Sequence, residues 1–308
     1  MKIVTLLPSA TEIACALGLR DSLVAVSHEC DFPADVSALP TIASSILPHD
    51  LTTQQIDDAV VQAVKDGSAL YQVDGDLLAH LNPDLIITQG VCDVCAVNQG
   101  TVEQTLLFLP DFVTSDVRIL SLSGANFSGI LRDIQLVAAA TNTQTFAQDL
   151  INTAKQDWQT LSDTQPETKP KVAMIEWPDP FFYGGHWVPE MVEVAGGIDV
   201  LGQSGLASGR CTSHDIIQQD PDFIISIACG YDLDKNLEFA QMLAQNPEFS
   251  RLKAVQNNNV WAMDANSYCS RPTPRIVEGA KMLQAIFLNQ AHDAAGVINA
   301  KTIGSSRV

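Results

Sequence analysis

Cys92 and Cys95 stand two residues apart in ITQGVCDVCAV (87–97), just beyond an apolar run. Cysteines at this spacing can form a redox dithiol, supply half of a metal site, or line a pocket as two small side chains. A redox pair needs its first thiol at a helix N-terminus, where the dipole lowers the thiol pKa. The next helical pattern begins near Thr101, several residues too late for that. A soft-metal site is a second chemistry. With Cys30 as a third sulfur, thiolates would favour zinc or an Fe–S cluster over magnesium or calcium. No second C-x-x-C exists to complete a zinc ribbon.

The chain has seven cysteines. Six of them (Cys30, Cys92, Cys95, Cys211, Cys229 and Cys269) fall in or beside loops that follow predicted strands, and Cys15 alone reads as a helix residue. The same loops carry other side chains able to hold a ligand: Ser9, His28, Glu29, Gln89, Gly90, Glu176, Trp177, Phe181, His186, Trp187, Arg210, Tyr268 and Arg271. The aromatic rings offer flat apolar faces to a planar ligand. An arginine offers a fork to an anionic group. Each has a plain alternative: His28 and His214 as caps of neighbouring backbone, Trp177 and Phe181 as packing beneath a loop, Arg271 or Arg275 as partner to a carboxylate of the protein. No nucleophile elbow, phosphate loop or G-x-G-x-x-G is present, so binding without catalysis is expected.

These loops need strands to position them. KIVTLL (2–7) reads as a strand ended by Pro8, and Ser9 with Glu12 forms a predicted capping box for a helix closed by Gly18. KVAMIE (171–176) repeats the plan: a strand, the loop WPDPFFYGGHW, then a helix with Pro189 in its first turn and Gly196 and Gly197 at its end. VDGDLLAHLNPDLIIT (73–88) aligns with CTSHDIIQQDPDFIIS (211–226). Each is a short capped helix stopped by proline, then an apolar run suited to a strand buried on both faces. Residues 126–162 are helical by period and SDTQPETKP is a polar linker. The expectation is an α/β protein of two lobes, 1–125 and 170–308, with a connecting helix and linker over 126–169. In such lobes ligands bind at the carboxyl ends of the strands.

Charge excludes some partners. Asp and Glu number 36 against 17 Lys and Arg, a formal charge of −19. Such a surface repels phosphate backbones, so no nucleic-acid partner is expected. No apolar run reaches the ~18 residues of a membrane span, so no insertion is expected. MKIVTLLPSATEI does not read as an export signal. The expected location is therefore cytoplasmic, or periplasmic if translation starts upstream.

The stretch KIVTLLPSATEIACALGLRDSLVAVSHECDFP, with NPDLIIT, AGGIDVL, DPDFIIS and SRPTPRIVEGAKML, resembles the class III periplasmic binding proteins, and within them the cobalamin-binding members of corrinoid importers. The resemblance implies two Rossmann-like lobes with parallel sheets tied by one long backbone helix. It implies a corrinoid or comparable metal chelate held between the lobes by loop residues. It also implies docking of an acidic residue from each lobe onto an ABC permease. The matching position is Asp76 in the first lobe and His214, beside Asp215, in the second. The cysteine-rich loops suggest an alternative: a cytoplasmic metal- or Fe–S-binding protein, or an enzyme, with Cys30, Cys92 and Cys95 as ligands.

Overall fold

The computed structural model describes residues 1–48, 50–91, 97, 99–107, 117–291 and 295–301. The chain divides into two compact units: Met1–Gly124 with Ser128–Ile151, and Ala125–Phe127 with Asn152–Val308.

Unit 1 runs β1 (Ile3–Thr5), α1 (Pro8–Ala16), β2 (Leu23–Ser27), β3 (Thr41–Ser45), α2 (Thr53–Asp66), β4 (Tyr71–Val73), α3 (Gly75–Leu81), β5 (Leu85–Gln89), α4 (Gln99–Leu107), β6 (Arg118–Leu122) and α5 (Phe127–Thr141), and then enters α6 (Gln144–Asp163). Its sheet has the order β4-β3-β2-β1-β5-β6, parallel except for the antiparallel edge strand β4. β1 and β5 lie in the middle and are buried along their whole length. Both faces are covered, which is why LIIT is apolar without alternation.

Unit 2 continues through β7 (Lys171–Pro178), β8 (Phe181–Tyr183), α7 (Val188–Val194), β9 (Ile198–Asp199), β10 (Gly209–Arg210), α8 (Ser213–Gln219), β11 (Phe223–Ser226), α9 (Leu233–Gln245), α10 (Lys253–Gln256), β12 (Val260–Met263), α11 (Ala265–Tyr268), α12 (Ile276–Phe287) and β13 (Val297–Asn299). The sheet order is β10-β8-β7-β11-β12-β13, with β9 also on β7. β7, β11 and β12 are parallel; β8, β10 and β13 are antiparallel additions.

The two segments that align in sequence are equivalent in structure. α3 and α8 are both capped from the side chain before them, Asp74 and Thr212. Both end on a left-handed residue, Asn82 (φ 45°) and Asp220 (φ 44°), ahead of Pro83 and Pro221. Asp84 Oδ2 accepts from Lys2 N at 2.7 Å, and Lys2 Nζ donates to Leu81 O at 2.8 Å. Asp222 Oδ2 accepts from Lys171 N at 2.9 Å, and Lys171 Nζ donates to Gln219 O at 3.2 Å. The registers agree too: Ile3 lies opposite Leu85, and Val172 opposite Phe223.

Three expectations are corrected. The helical stretch 126–162 is two helices, of which α6 runs from one unit into the other. α5 ends at Asn142, which is left-handed (φ 58°), and Thr143 N bonds back to Ala138 O, a Schellman-type stop. The capping box at Ser9 does not form. Pro8 starts α1 one residue earlier, so Ser9 lies inside the helix and Leu7 stands at the cap position without a side-chain bond. The loop after KVAMIE is a hairpin, with β7 extended to Pro178 and paired to β8.

Phe249 is fully buried in the unit 2 core with Ile224, Leu243, Leu252 and Val260. Phe249→Ala should lower unit 2 stability by about 3–5 kcal/mol, the usual loss for a buried aromatic, read from urea unfolding followed by tryptophan emission.

Candidate ligand-binding site

In unit 1 the parallel strands β1, β2, β5 and β6 end on one edge of the sheet. Ser9 sits there, 1% exposed, and its Oγ has no hydrogen-bond partner. Beside it the Thr5 and Thr11 hydroxyls lie 2.6 Å apart, and Thr11 Oγ1 is 3.0 Å from Cys30 Sγ. His28 and Glu29 are exposed. His28 Nδ1 lies 3.1 Å from Ala43 O, so the ring caps neighbouring backbone as the plain reading holds. Gln89 is buried and turns its Oε1 to Val91 N at 2.8 Å, while Gly90 N donates to Leu122 O at 2.8 Å. A Cβ on Gly90 would come within 3.0 Å of Ser121 Oγ. Asp133, from α5, grips the loop after β6 through Gly124 N at 2.7 Å and Ser123 N at 3.2 Å, and its burial raises its pKa. Cys92 and Cys95 lie outside the described residues.

In unit 2, Glu176 and Trp177 occupy the end of β7, both half-buried. The Trp177 ring lies 5.8 Å from Tyr231, and Tyr231 meets Phe239 edge-on at 5.3 Å. His186 adopts a left-handed backbone (φ 54°), stacks on Trp187 at 5.7 Å, and leaves Nδ1 buried without a partner. Burial lowers its pKa, so the imidazole stays neutral near pH 7. Tyr268 is half-buried under the Arg275 guanidinium, 5.3 Å from the ring, and Arg271 is buried. Arg210 is exposed over Phe182 at 5.2 Å.

The sequence-selected residues do not all face one way. Phe181 meets Phe249 in a tilted ring pair at 5.8 Å and packs on the hydrophobic core. Trp187 is 7% exposed, with its indole N–H donated to Cys269 O at 2.6 Å. Cys211 also packs on the core, and burial pushes its thiol up to about 11. Cys269 is 1% exposed, and burial raises its thiol pKa as well. Burial therefore disfavours the thiolate at both. Among the described residues, no three His, Cys, Asp or Glu side chains gather as they would around a metal ion.

Asp199 and Asn236 went unselected, although both are polar residues within apolar patterns. Asp199 Oδ1 accepts from Leu201 N (2.9 Å) and Gly202 N (2.8 Å), and Oδ2 is buried without a partner. The turn packs tightly: a Cβ on Gly202 would lie 2.3 Å from Gly184 O.

The periplasmic binding protein family matches residues 3–267. The chain belongs to the periplasmic binding protein family. This member is 25% identical, over 92% of its length, to the vitamin B12-binding protein of Vibrio cholerae serotype O1, of which it covers 87%. It is 24% identical to an ABC transporter substrate-binding lipoprotein of Bacillus subtilis, covering 92% of itself and 78% of that protein. Among solved structures, a periplasmic heme binding protein of Vibrio cholerae superposes with TM-score 0.69 at 20% identity, over 93% of this chain and 98% of that one. The periplasmic vitamin B12 binding protein of the same organism superposes at 0.62 and 20% identity, over 94% and 98%. The family's two-lobed α/β fold is the one described above.

Asp199 gives this member a testable pH dependence. Burial, then the nearby Glu193 charge, raise its pKa from 3.8 to about 6, against two backbone bonds that lower it. The folded state therefore holds this proton more tightly than the unfolded chain. The associated stability is full below the unfolded pKa and lost as pH rises through about 6, an effect of order 3 kcal/mol. Asp199→Asn should raise the melting temperature at about pH 8 and flatten its slope between about pH 4 and pH 7; an unchanged slope in thermal scans would count against the assignment.

Proposed function

We propose that this periplasmic binding protein holds a corrinoid non-covalently on its strand-end loops, without chemical change, and delivers it to an ABC-type permease. The observation that carries the reading is the family match, with a relative described as vitamin B12-binding aligned over 92% of the chain. The loops suit a large, flat, mostly uncharged chelate. Trp177 and Tyr231 form an aromatic pair at one strand end, and His186 Nδ1 and Ser9 Oγ are buried polar atoms in want of partners.

Heme is the competing chelate, since heme-binding proteins share the fold. Charge favours the corrinoid. Heme carries two propionates, and a protein of formal charge −19 repels them. The exposed acids Glu29 and Asp31 stand at the strand end beside His28. A corrinoid ring bears neutral amides in place of those propionates.

The relatives described as periplasmic and as a lipoprotein favour action outside the cytoplasmic membrane over the cytoplasmic expectation. Asp76 is exposed in the first turn of α3, and His214 and Asp215 are exposed in the first turn of α8. These equivalent positions are the proposed permease contacts. Asp215 is committed to its own capping box, with Thr212 N at 2.8 Å, which leaves His214 as the outward group on that helix.

Calorimetric and spectral titration with cyanocobalamin, cobinamide and hemin tests the reading. At least one corrinoid should bind at micromolar Kd or tighter, about −8 kcal/mol or better, with hemin weaker. Tighter hemin binding, or silence from both corrinoids, would overturn it. Trp177→Ala should weaken the corrinoid by roughly tenfold or more. Asp76→Lys should leave that affinity intact and reduce stimulation of the reconstituted permease's ATPase; equal stimulation would remove Asp76 from the docking surface.

A further inference from the structure

We propose that Asn236 is a positioning residue for ligand recognition, fixing the turn that carries Tyr231 and so the Trp177–Tyr231 pair. The inference rests on the corrinoid reading for what the pair binds, but not for how the pair is held.

Asn236 lies on α9 in the stripe that faces the core with Phe239, Ala240 and Leu243, and it is fully buried. A buried carboxamide on such a stripe is costly unless its donors and acceptor are used. Here all are used on one loop. Oδ1 accepts from Ala228 N at 2.5 Å and from Ser226 Oγ at 3.0 Å. Nδ2 donates to Asp232 O at 3.0 Å and Tyr231 O at 3.1 Å, with Ala228 O farther away at 3.4 Å. The amide orientation follows from the partners: Ala228 N requires an acceptor, and the three carbonyls require a donor.

The loop so gripped, 226–232, joins the carboxyl end of β11 to α9. Within it Tyr231 N bonds to Ala228 O at 3.2 Å and Gly230 is left-handed (φ 86°), a turn of the class that needs glycine at its third position. Cys229 N ties the turn to Glu176 O at 3.2 Å, next to Trp177. One side chain thus sets the turn between the aromatic pair and the sheet. In unit 1, Asp133 holds the loop after β6 in the same manner, from the following helix. The unit 2 brace is uncharged and can donate as well as accept, and both functions are in use.

Asn236→Asp separates these functions. The carboxylate keeps the acceptor but turns a negative charge on the Tyr231 and Asp232 carbonyls. Burial will raise its pKa, and protonation restores one donor. Cys229, Tyr231, Asp232 and Lys235 are the titratable neighbours on the loop and helix, and wild-type protein at each pH controls for them. In the variant, corrinoid affinity should fall at least about tenfold at about pH 8 relative to about pH 5, while wild type changes by less than about twofold. The Trp177 contribution to emission, taken as the difference from Trp177→Phe in each background, should shift with pH in the variant alone. A variant with wild-type affinity and emission at both pH values, or with losses independent of pH, overturns the proposal. If wild type binds no corrinoid, the corrinoid reading falls, and the emission arm still judges Asn236. If Asn236→Asp does not fold, Gly230→Ala strains the same turn with no atom within 4 Å of the new methyl. It should weaken binding at least about fivefold, and unchanged affinity would overturn the proposal.

Discussion

A parallel strand buried on both faces has to be brought in at a fixed register, because no tight turn connects it to its neighbour. Both units meet this constraint at their central pair with one device. A short helix ends on a left-handed Asn or Asp, proline prevents its continuation, and the next aspartate accepts the backbone N–H of a lysine at the start of the first strand. The lysine's ammonium reaches back to the helix's last carbonyls. Helix end, strand entry and register are set together. The site loops are those that leave the opposite edge of the pairs so aligned.

Much of this was legible because it is local. Asn82-Pro83-Asp84 and Asp220-Pro221-Asp222 announce a helix stop and a strand start within three residues, and the apolar runs behind them have no periodicity other than burial. The glycine stops at Gly18 and Gly196 could be read for the same reason: each is left-handed in the structure. The misreadings came where two local signals competed. At residues 8–12 both proline and serine can open a helix, and proline took the first position. At 171–187 the prolines suggested a loop, yet Pro178 lies at the end of a strand paired across a hairpin. Asn142 gave no sign in the helical period that it would break the long helix.

The site was less legible than the fold, since the direction of a side chain is a tertiary property. Trp177 and Phe181 are four residues apart on one hairpin, but one pairs with Tyr231 and the other with the core residue Phe249. The cysteines clustered by sequence, yet half-buried Cys211 and fully buried Cys269 sit where burial disfavours the thiolate. The residues that brace the loops, Asp133 and Asn236 on helices and Asp199 at the end of β9, carry no motif. Their signal is a polar residue where the pattern asks for an apolar one.

The Lys–Asp bond spans 82 residues in unit 1 and 51 in unit 2. Loop-closure entropy rises only with the logarithm of length, so the difference is worth about 0.4 kcal/mol. What fills the interval is correspondingly free. Behind the first strand, unit 1 holds α1, β2, β3, α2, β4 and α3 there; unit 2 holds β8, α7, two short strands and α8. Insertions and replacements between the fixed ends are therefore nearly neutral for the central strand pairing. Evolution can rebuild the surfaces that choose a ligand while the frame beneath them stays in register.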